Sequence, residues 1–223
     1  TITKLDSRSQ VYSLVNGVGR TEGRPIGALY SIPFAGLTEE GLPTFFIDAE
    51  HTQVVGPGNY AAIYFQEYED IDYLKYEGTI DPKITGSFGN TFSWKGLKLN
   101  VFFTYSFGNV LRLDNLCPVY SSDYSDLTAS MKEMKNRWMV PGDENVTTIP
   151  SIPTVRQMRE IDALSNAYSA YNYSTERVAK GDFIRLKELS LAYDLPKKYF
   201  EGQNAVYNLV KNSLVYALIM TAK

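Results

Sequence analysis

The sequence predicts an all-β chain: part of an antiparallel transmembrane β-barrel, with long strands linked by a tight turn and by long loops that carry short helices. Three observations carry this. Residues 84–94 and 97–107 each alternate in character for about eleven residues across the two-residue turn Lys95-Gly96. Segments 6–83 and 108–180 each exceed seventy residues without sustained alternation, which is abnormal for a compact soluble domain and ordinary for one side of a membrane barrel. No stretch of about twenty apolar residues supplies a transmembrane helix, and a barrel needs none.

Taken in order, residues 1–5 (TITKL) read as a strand end. Further along, ALYSIPF (28–34) and PTFFIDA (43–49) are expected to pair as a small hairpin across Thr38-Glu39-Glu40-Gly41, and residues 60–77 mix aromatic with acidic side chains. The hairpin 84–107 follows. Its first run places Ile84, Phe88, Phe92 and Trp94 on one face and Thr85, Ser87, Thr91 and Ser93 on the other. Its second run alternates Leu97, Leu99, Val101, Phe103, Tyr105 and Phe107 with Lys98, Asn100, Thr104 and Ser106, Phe102 being the large exception. Soluble strands usually run about 5–6 residues, whereas a tilted membrane strand needs ~9–11. By itself the hairpin also suits a soluble sandwich, the commoner setting; the loop asymmetry tips the reading to the membrane.

Within 108–180, Leu127, Met131, Met134 and Trp138 recur at helical spacing behind Ser125 or Asp126, so a short amphipathic helix is expected, stopped at Pro141-Gly142. A second helix is expected at 154–165, with Val155, Met158 and Ile161 inward. In 183–196, Ile184 and Leu186 hold one phase while Leu189, Leu191, Tyr193 and Leu195 hold the other. That slip near Lys187-Glu188 marks a β-bulge, and Pro196 ends the strand. Residues 204–220 have a blurred pattern and read as one more strand. The domains are therefore 1–83, a strand end and long loop; 84–107, the hairpin; 108–180, a second loop with short helices; and 181–223, further barrel strand with an atypical C-terminus.

The composition narrows the chemistry. Of 223 residues, 17 are Tyr, 11 Phe and 2 Trp, which suits interfacial girdles and binding loops. A net charge of −3 carries no nucleic-acid footprint. With one histidine, His51, and one cysteine, Cys117, neither a histidine triad, a histidine-rich metal site nor an internal disulfide can be built. Asn16-Gly17-Val18-Gly19 lacks the lysine spacing and preceding strand of a phosphate loop. Glu67, Glu69, Asp70 and Asp72, and likewise Asp143 with Glu144, lack the glycine and spacing of a calcium loop and read as solvated acids. Cofactors expected: none; the sequence is not that of an enzyme.

The blocks EGRPIGALYSIPFAGLTEEGLPTFF (22–46), DPKITGSFGNTFSWKGLKLNVFFTYSFGN (81–109), NRWMVPGDENVTTIPSIP (136–153) and STERVAKGDFIRLKELSLAYDLPKKYF (174–200) resemble, in order, stretches of the SusC/RagA family of TonB-linked outer-membrane transporters. The resemblance covers most of residues 1–200 and the late part of that barrel. It implies a bacterial outer-membrane location. It also implies about four of the roughly 22 strands of a large transporter barrel, with Lys95-Gly96 as a periplasmic turn and 6–83 and 108–180 as extracellular loops. It implies a longer parent chain with an N-terminal plug and a TonB-contacting segment, which these residues do not include. The work would be TonB-driven import of an oligosaccharide or peptide, with no bond made or broken in the substrate. Partners implied are a SusD-like surface lipoprotein, TonB and outer-membrane lipid. After Phe200 the sequence leaves the family pattern and reads as truncated.

The aromatics are the candidate ligand-contacting set: Tyr120, Tyr124, Trp138, Tyr171 and Tyr173 in the second loop, and Tyr64 and Tyr68 in the first. Aromatic faces stack on sugar rings and peptide side chains while polar tips hydrogen-bond. Self-packing of the loops is the competing expectation for each. The alternative to transport is a soluble β-rich binding or adhesion module using these same loops.

Overall fold

The structure, a computed structural model, describes residues 1–5, 8–67, 71–116 and 132–194. The chain divides into two units: Thr1–Asp81 with Asn109–Lys180, and Pro82–Gly108 with Gly181–Lys223.

The second unit holds the long strands. β6 (Ile84–Trp94), β7 (Leu97–Phe107) and β10 (Phe183–Tyr193) form an antiparallel sheet in the order β10-β7-β6. Both hairpin strands occupy the ranges read from the sequence. Lys95 and Gly96 both have positive φ (45° and 89°), a conformation that matches the right-handed twist of two-residue hairpins. The pairing of β6 with β7 runs without a break from Ile84–Phe107 to Trp94–Leu97. β10 shifts register between Leu186 and Glu188. This is the expected bulge: Lys187 is the extra residue, so Leu186 and Leu189 reach the same face although three apart. Among the described residues three long strands form an open sheet, and the expected strand at 204–220 lies outside the described residues.

The first unit is built from short elements around its own core. α1 (Val11–Val15) and α3 (Leu164–Asn172) bury Val11, Leu14, Leu164 and Ala167 with Phe45 and Val55 from the strands and with Ile32 and Leu42 just outside them. β1 (Ala28–Ser31) pairs with β5 (Lys75–Thr79), β2 (Phe34–Leu37) with β3 (Pro43–Phe46), β3 with β4 (Val54–Val55), and β8 (Val110–Arg112) with β9 (Val178–Lys180).

Several expectations need correction here. Residues 1–5 form no strand; Ile2 instead exchanges backbone hydrogen bonds with Gly23 and Arg24. The small hairpin exists across 38–41, but its first arm is Phe34–Leu37. Residues 28–31 leave at Ile32-Pro33 and pair with residues 75–79, since proline brings no N–H to a ladder. The helix expected at 154–165 is α2 (Val155–Glu160), capped by Thr154 in a capping box with Gln157. It stops at Glu160, where Ile161 turns extended (φ −97°, ψ 112°), and Ala163 at φ 52° precedes the separate helix α3. Val155 is 59% exposed and Met158 38%, so these two do not point inward; Ile161 packs on the core. Of the helix expected around Leu127–Trp138, residues 132–136 form a 3-10 turn with Met134 buried, and Leu127 and Met131 lie outside the described residues.

Candidate functional site

The register sorts the long strands into two unlike faces. On one stand Ile84, Phe88, Phe92 and Trp94 of β6 against Phe107, Phe103, Leu99 and Leu97 of β7, continued on β10 by Ile184, Leu186, Leu189, Leu191 and Tyr193. Gly86 and Asn90 are its small or polar exceptions. These side chains are exposed among the described residues: Phe88 is 60% exposed, Phe92 58%, Trp94 69% and Ile184 68%. So large an exposed apolar surface marks an interface with another phase or another protein. Aromatics gather toward its ends, with Trp94 and Tyr193 near the turn and Tyr105 stacked on Phe107 (5.7 Å) at the other end.

The opposite face is polar and internally bonded. Thr91 Oγ1 donates to Asn100 Oδ1 (3.1 Å), Asn100 Nδ2 donates to Glu188 Oε1 (2.6 Å), and Lys98 pairs with Asp194 (2.8 Å). The bulge is what brings Glu188 to this face, opposite Phe102. Small residues dominate β6 here, and Phe102 lies across Gly89, where an added Cβ would meet its ring at 2.7 Å. Eleven residues give ten rises of ~3.3 Å, or ~33 Å, and a tilt of ~40° projects that to ~25 Å, the height of a barrel's apolar band. One continuous apolar face, one hydrogen-bonded polar face and this length are the pattern of a membrane β-barrel wall.

In the first unit the loop 138–147 is held rigid by its own acids. Asp143 accepts from the N–H groups of Met139 and Val140 (2.9 and 3.0 Å). Glu144 accepts from Trp138 Nε1 (3.1 Å) and Gly142 N–H (2.8 Å). Backbone N–H donors hold the Asp143 carboxyl below its usual range. Glu144 is lowered likewise by its own backbone N–H and by the Trp138 indole. Asp48 is lowered as well; partial desolvation opposes its charge, but the hydroxyl and N–H of Thr52 and the N–H of Gln53 outweigh it. The Trp138 ring covers Gly41 at φ 75°.

Two arginines tie the core segments together. Arg112 donates to the carbonyls of Ser174 (3.1 Å), Val15 (2.9 Å) and Tyr30 (2.6 Å), and burial lowers its pKa to about 10 against the opposing field of Glu77. Arg177, 3% exposed, donates to Glu133 and to the Asp114 carbonyl.

The candidate aromatics scatter. Tyr171 is 1% exposed with its ring against Phe34, so it belongs to the core and cannot face a ligand. Tyr173 is half-buried among Tyr12, Phe65 and Arg112. Trp138 is half-buried over Gly41, and Tyr64 is 54% exposed. Tyr68, Tyr120 and Tyr124 lie outside the described residues. Tyr60 is buried, donates to the Pro43 carbonyl (2.8 Å), and burial raises its pKa. His51 stacks on Phe46 at 5.0 Å. Among the described residues no cluster of His, Cys, Asp and Glu has the arrangement of a metal site. No described helix is long and apolar enough to cross a membrane, a fact without bearing on a β-barrel.

Comparison with known proteins agrees with the pattern of the sheet. No family model matches the chain. The TonB-dependent receptor P3 of Formosa agariphila is 28% identical over 191 residues, which is 80% of this chain and 16% of that receptor. The RagAB peptide transporter shares the fold with a TM-score of 0.56 at 23% identity, over 91% of this chain and 20% of its counterpart. The RagAB peptide importer in the 'open-open' state gives a TM-score of 0.53 at 24% identity, over 91% and 19%. The chain is thus similar to one stretch of a TonB-dependent receptor and shares the fold of part of the RagAB transporter, and it spans under a fifth of the curated relative's length. These relatives are receptors and transporters, not enzymes.

Proposed function

We propose that this chain forms part of the wall and outer loops of a TonB-dependent outer-membrane importer of oligosaccharides or peptides. The observation that carries the reading is the sheet β10-β7-β6, whose register sorts every large apolar residue except Phe102 and Phe183 onto one face. In lipid, that face replaces water contact with hydrocarbon and the polar face lines a wet lumen. Lys95-Gly96 then lies on the periplasmic side, and 6–83 and 108–180 are extracellular. There they meet the substrate and a SusD-like surface lipoprotein, while TonB engages another part of the receptor. The core of the first unit supports this use, because a loop region with its own buried centre presents fixed surfaces. Import itself is a rearrangement that leaves the substrate's bonds intact.

Fractionation of source cells with an antibody to residues 132–180 tests the reading. The antigen is expected in the outer membrane, in a band far heavier than 25.1 kDa. A band near that mass in the soluble fraction overturns it and favours the soluble binding module.

A further inference from the structure

The turn between β6 and β7 carries a residue that turn geometry does not select. Two-residue turns with positive φ at both positions favour asparagine, aspartate or glycine first. Here the first position is Lys95, at φ 45°. The backbone gains nothing from a lysine at this point, and backbone strain of this kind gathers at functional sites.

The surroundings of the side chain show what the lysine adds. Lys95 Nζ lies 4.9 Å from the centre of the Trp94 ring. Trp94 pairs with Leu97, and Leu97 with Tyr193, so the three form one row across β6, β7 and β10. That row closes the apolar face at its turn end, with Trp94 69% exposed, Tyr193 43% and Leu97 38%. Lys98, the other lysine beside the turn, belongs to the polar face, where Asp194 neutralises it. Among the described residues Lys95 enters no ion pair. The turn is also braced before any ligand arrives. Asp194 N–H donates to the Gly96 carbonyl (2.7 Å), and a Cβ on Gly96 would meet the Asp194 carbonyl at 2.9 Å.

An ammonium held at the rim of an exposed apolar row, with an indole and a phenol beside it, complements a negative headgroup joined to hydrocarbon. Phosphate oxygens accept charge-assisted hydrogen bonds from an ammonium. Trp and Tyr rings sit at the boundary between hydrocarbon and water, with the polar edge outward. A zwitterionic headgroup carries its own cation, which competes with Lys95 for the same phosphate; an anionic headgroup has no such competitor.

We propose that Trp94, Lys95, Leu97 and Tyr193 form a docking site for an anionic phospholipid. Lys95 takes the headgroup phosphate, and Trp94, Leu97 and Tyr193 hold the glycerol and the first methylenes of the chains. This rests on the importer reading, in which the row is the lipid-facing rim at the turn end of the wall, and adds to it a choice among lipids.

Quenching of Trp94 emission by brominated lipid tests the site. The full chain is folded into phosphatidylcholine vesicles that contain a minor fraction of brominated phosphatidylglycerol or of brominated phosphatidylcholine, and protection from protease checks folding. Subtracting the emission of Trp94→Phe removes the signal of Trp138, the second tryptophan. Brominated phosphatidylglycerol associates about fivefold more strongly than brominated phosphatidylcholine, and raised salt reduces the preference. Lys95→Asn, which suits the turn better and removes the charge, brings the two lipids to near equality, whereas Lys95→Arg keeps the preference. Lys135→Gln, in the first unit, leaves it unchanged. Equal association of both lipids with the unaltered chain, or an undiminished preference in Lys95→Asn, overturns the proposal. Inorganic phosphate at matched ionic strength leaves the preference in place; if it abolishes it, the site takes free phosphate and the lipid assignment falls. Quenching without preference loses this site and keeps the membrane wall, and a folded chain quenched by neither lipid loses both.

Discussion

Ser87 and Phe88 are adjacent in β6 and face opposite ways, opposite Thr104 and Phe103 of β7. Replacing each in turn by arginine isolates the facing of the sheet from everything else about the strand. Phe88 lies four residues from Ile84, so ~13 Å along the strand and, at a tilt of ~40°, ~10 Å into a ~25 Å apolar band. That is close to the midplane, where arginine on the lipid side costs about 2–4 kcal/mol. The folding equilibrium constant should then fall by a factor of roughly 30 to 800 for Phe88→Arg. Ser87→Arg, on the wet side, should stay within about 0.5 kcal/mol. Urea titrations of the chain folded in phospholipid vesicles, followed by protection from protease, measure both. Equal costs, or a larger cost at Ser87, would refute the reasoning, because the argument depends on facing and not on a general intolerance of charge in this strand.

Other outcomes follow from the same geometry. Deleting Lys187 removes the unpaired bulge residue and keeps every facing, so folded yield in vesicles should change little. Deleting Ser190 turns Leu191 and Tyr193 to the polar face, each losing about 1.5–3 kcal/mol of burial, and should abolish protease-protected material. Gly41→Ala places a methyl in the Trp138 ring at a backbone φ of 75°, so Trp138 should be displaced, with red-shifted emission and a stability loss of about 1–3 kcal/mol. The loop 138–147 should loosen in acid. Asp143 and Glu144 have folded pKa values below their unfolded ones, so their contribution is present above the ordinary carboxylate range and is lost as pH falls through the lowered values. Faster hydrogen exchange at Met139 and Val140 over that acidic range checks it, and exchange independent of pH beyond the intrinsic rate would count against it.

The long strands were legible in the sequence because period two holds for about eleven residues on each side of a turn with few exceptions (Gly86, Asn90 and Phe102), and the slip at Lys187-Glu188 marked its own bulge. The first unit was far less legible, since its pairings are set by distant contacts. Nothing local in ALYS says that its partner is residues 75–79 and not the nearby PTFF, although Pro33 marks where the run must break. α3 did carry a signal, as Leu164, Ala167, Tyr168 and Tyr171 recur at helical spacing and are buried. Reading one helix over 154–165 crossed the break at Ala163 and hid it. Val155 and Met158 look inward by period, but in the six-residue α2 both stay exposed. For the aromatics, composition announces rings without saying which are spent on packing; Tyr171 under Phe34 and Tyr64 at the surface look alike in sequence.

The central claim is that one face of β6 and β7 meets lipid and the other meets water. Single cysteines placed in turn along residues 84–94 and 97–107, in membrane vesicles from cells expressing the protein, test it, each offered a water-soluble maleimide and a lipid-phase photoreactive thiol probe. The account predicts strict alternation, with positions 84, 88, 92, 99, 101 and 103 taking the lipid-phase probe and positions 85, 87, 91, 98, 100 and 104 the aqueous one. Aqueous labelling of both sets alike would contradict it.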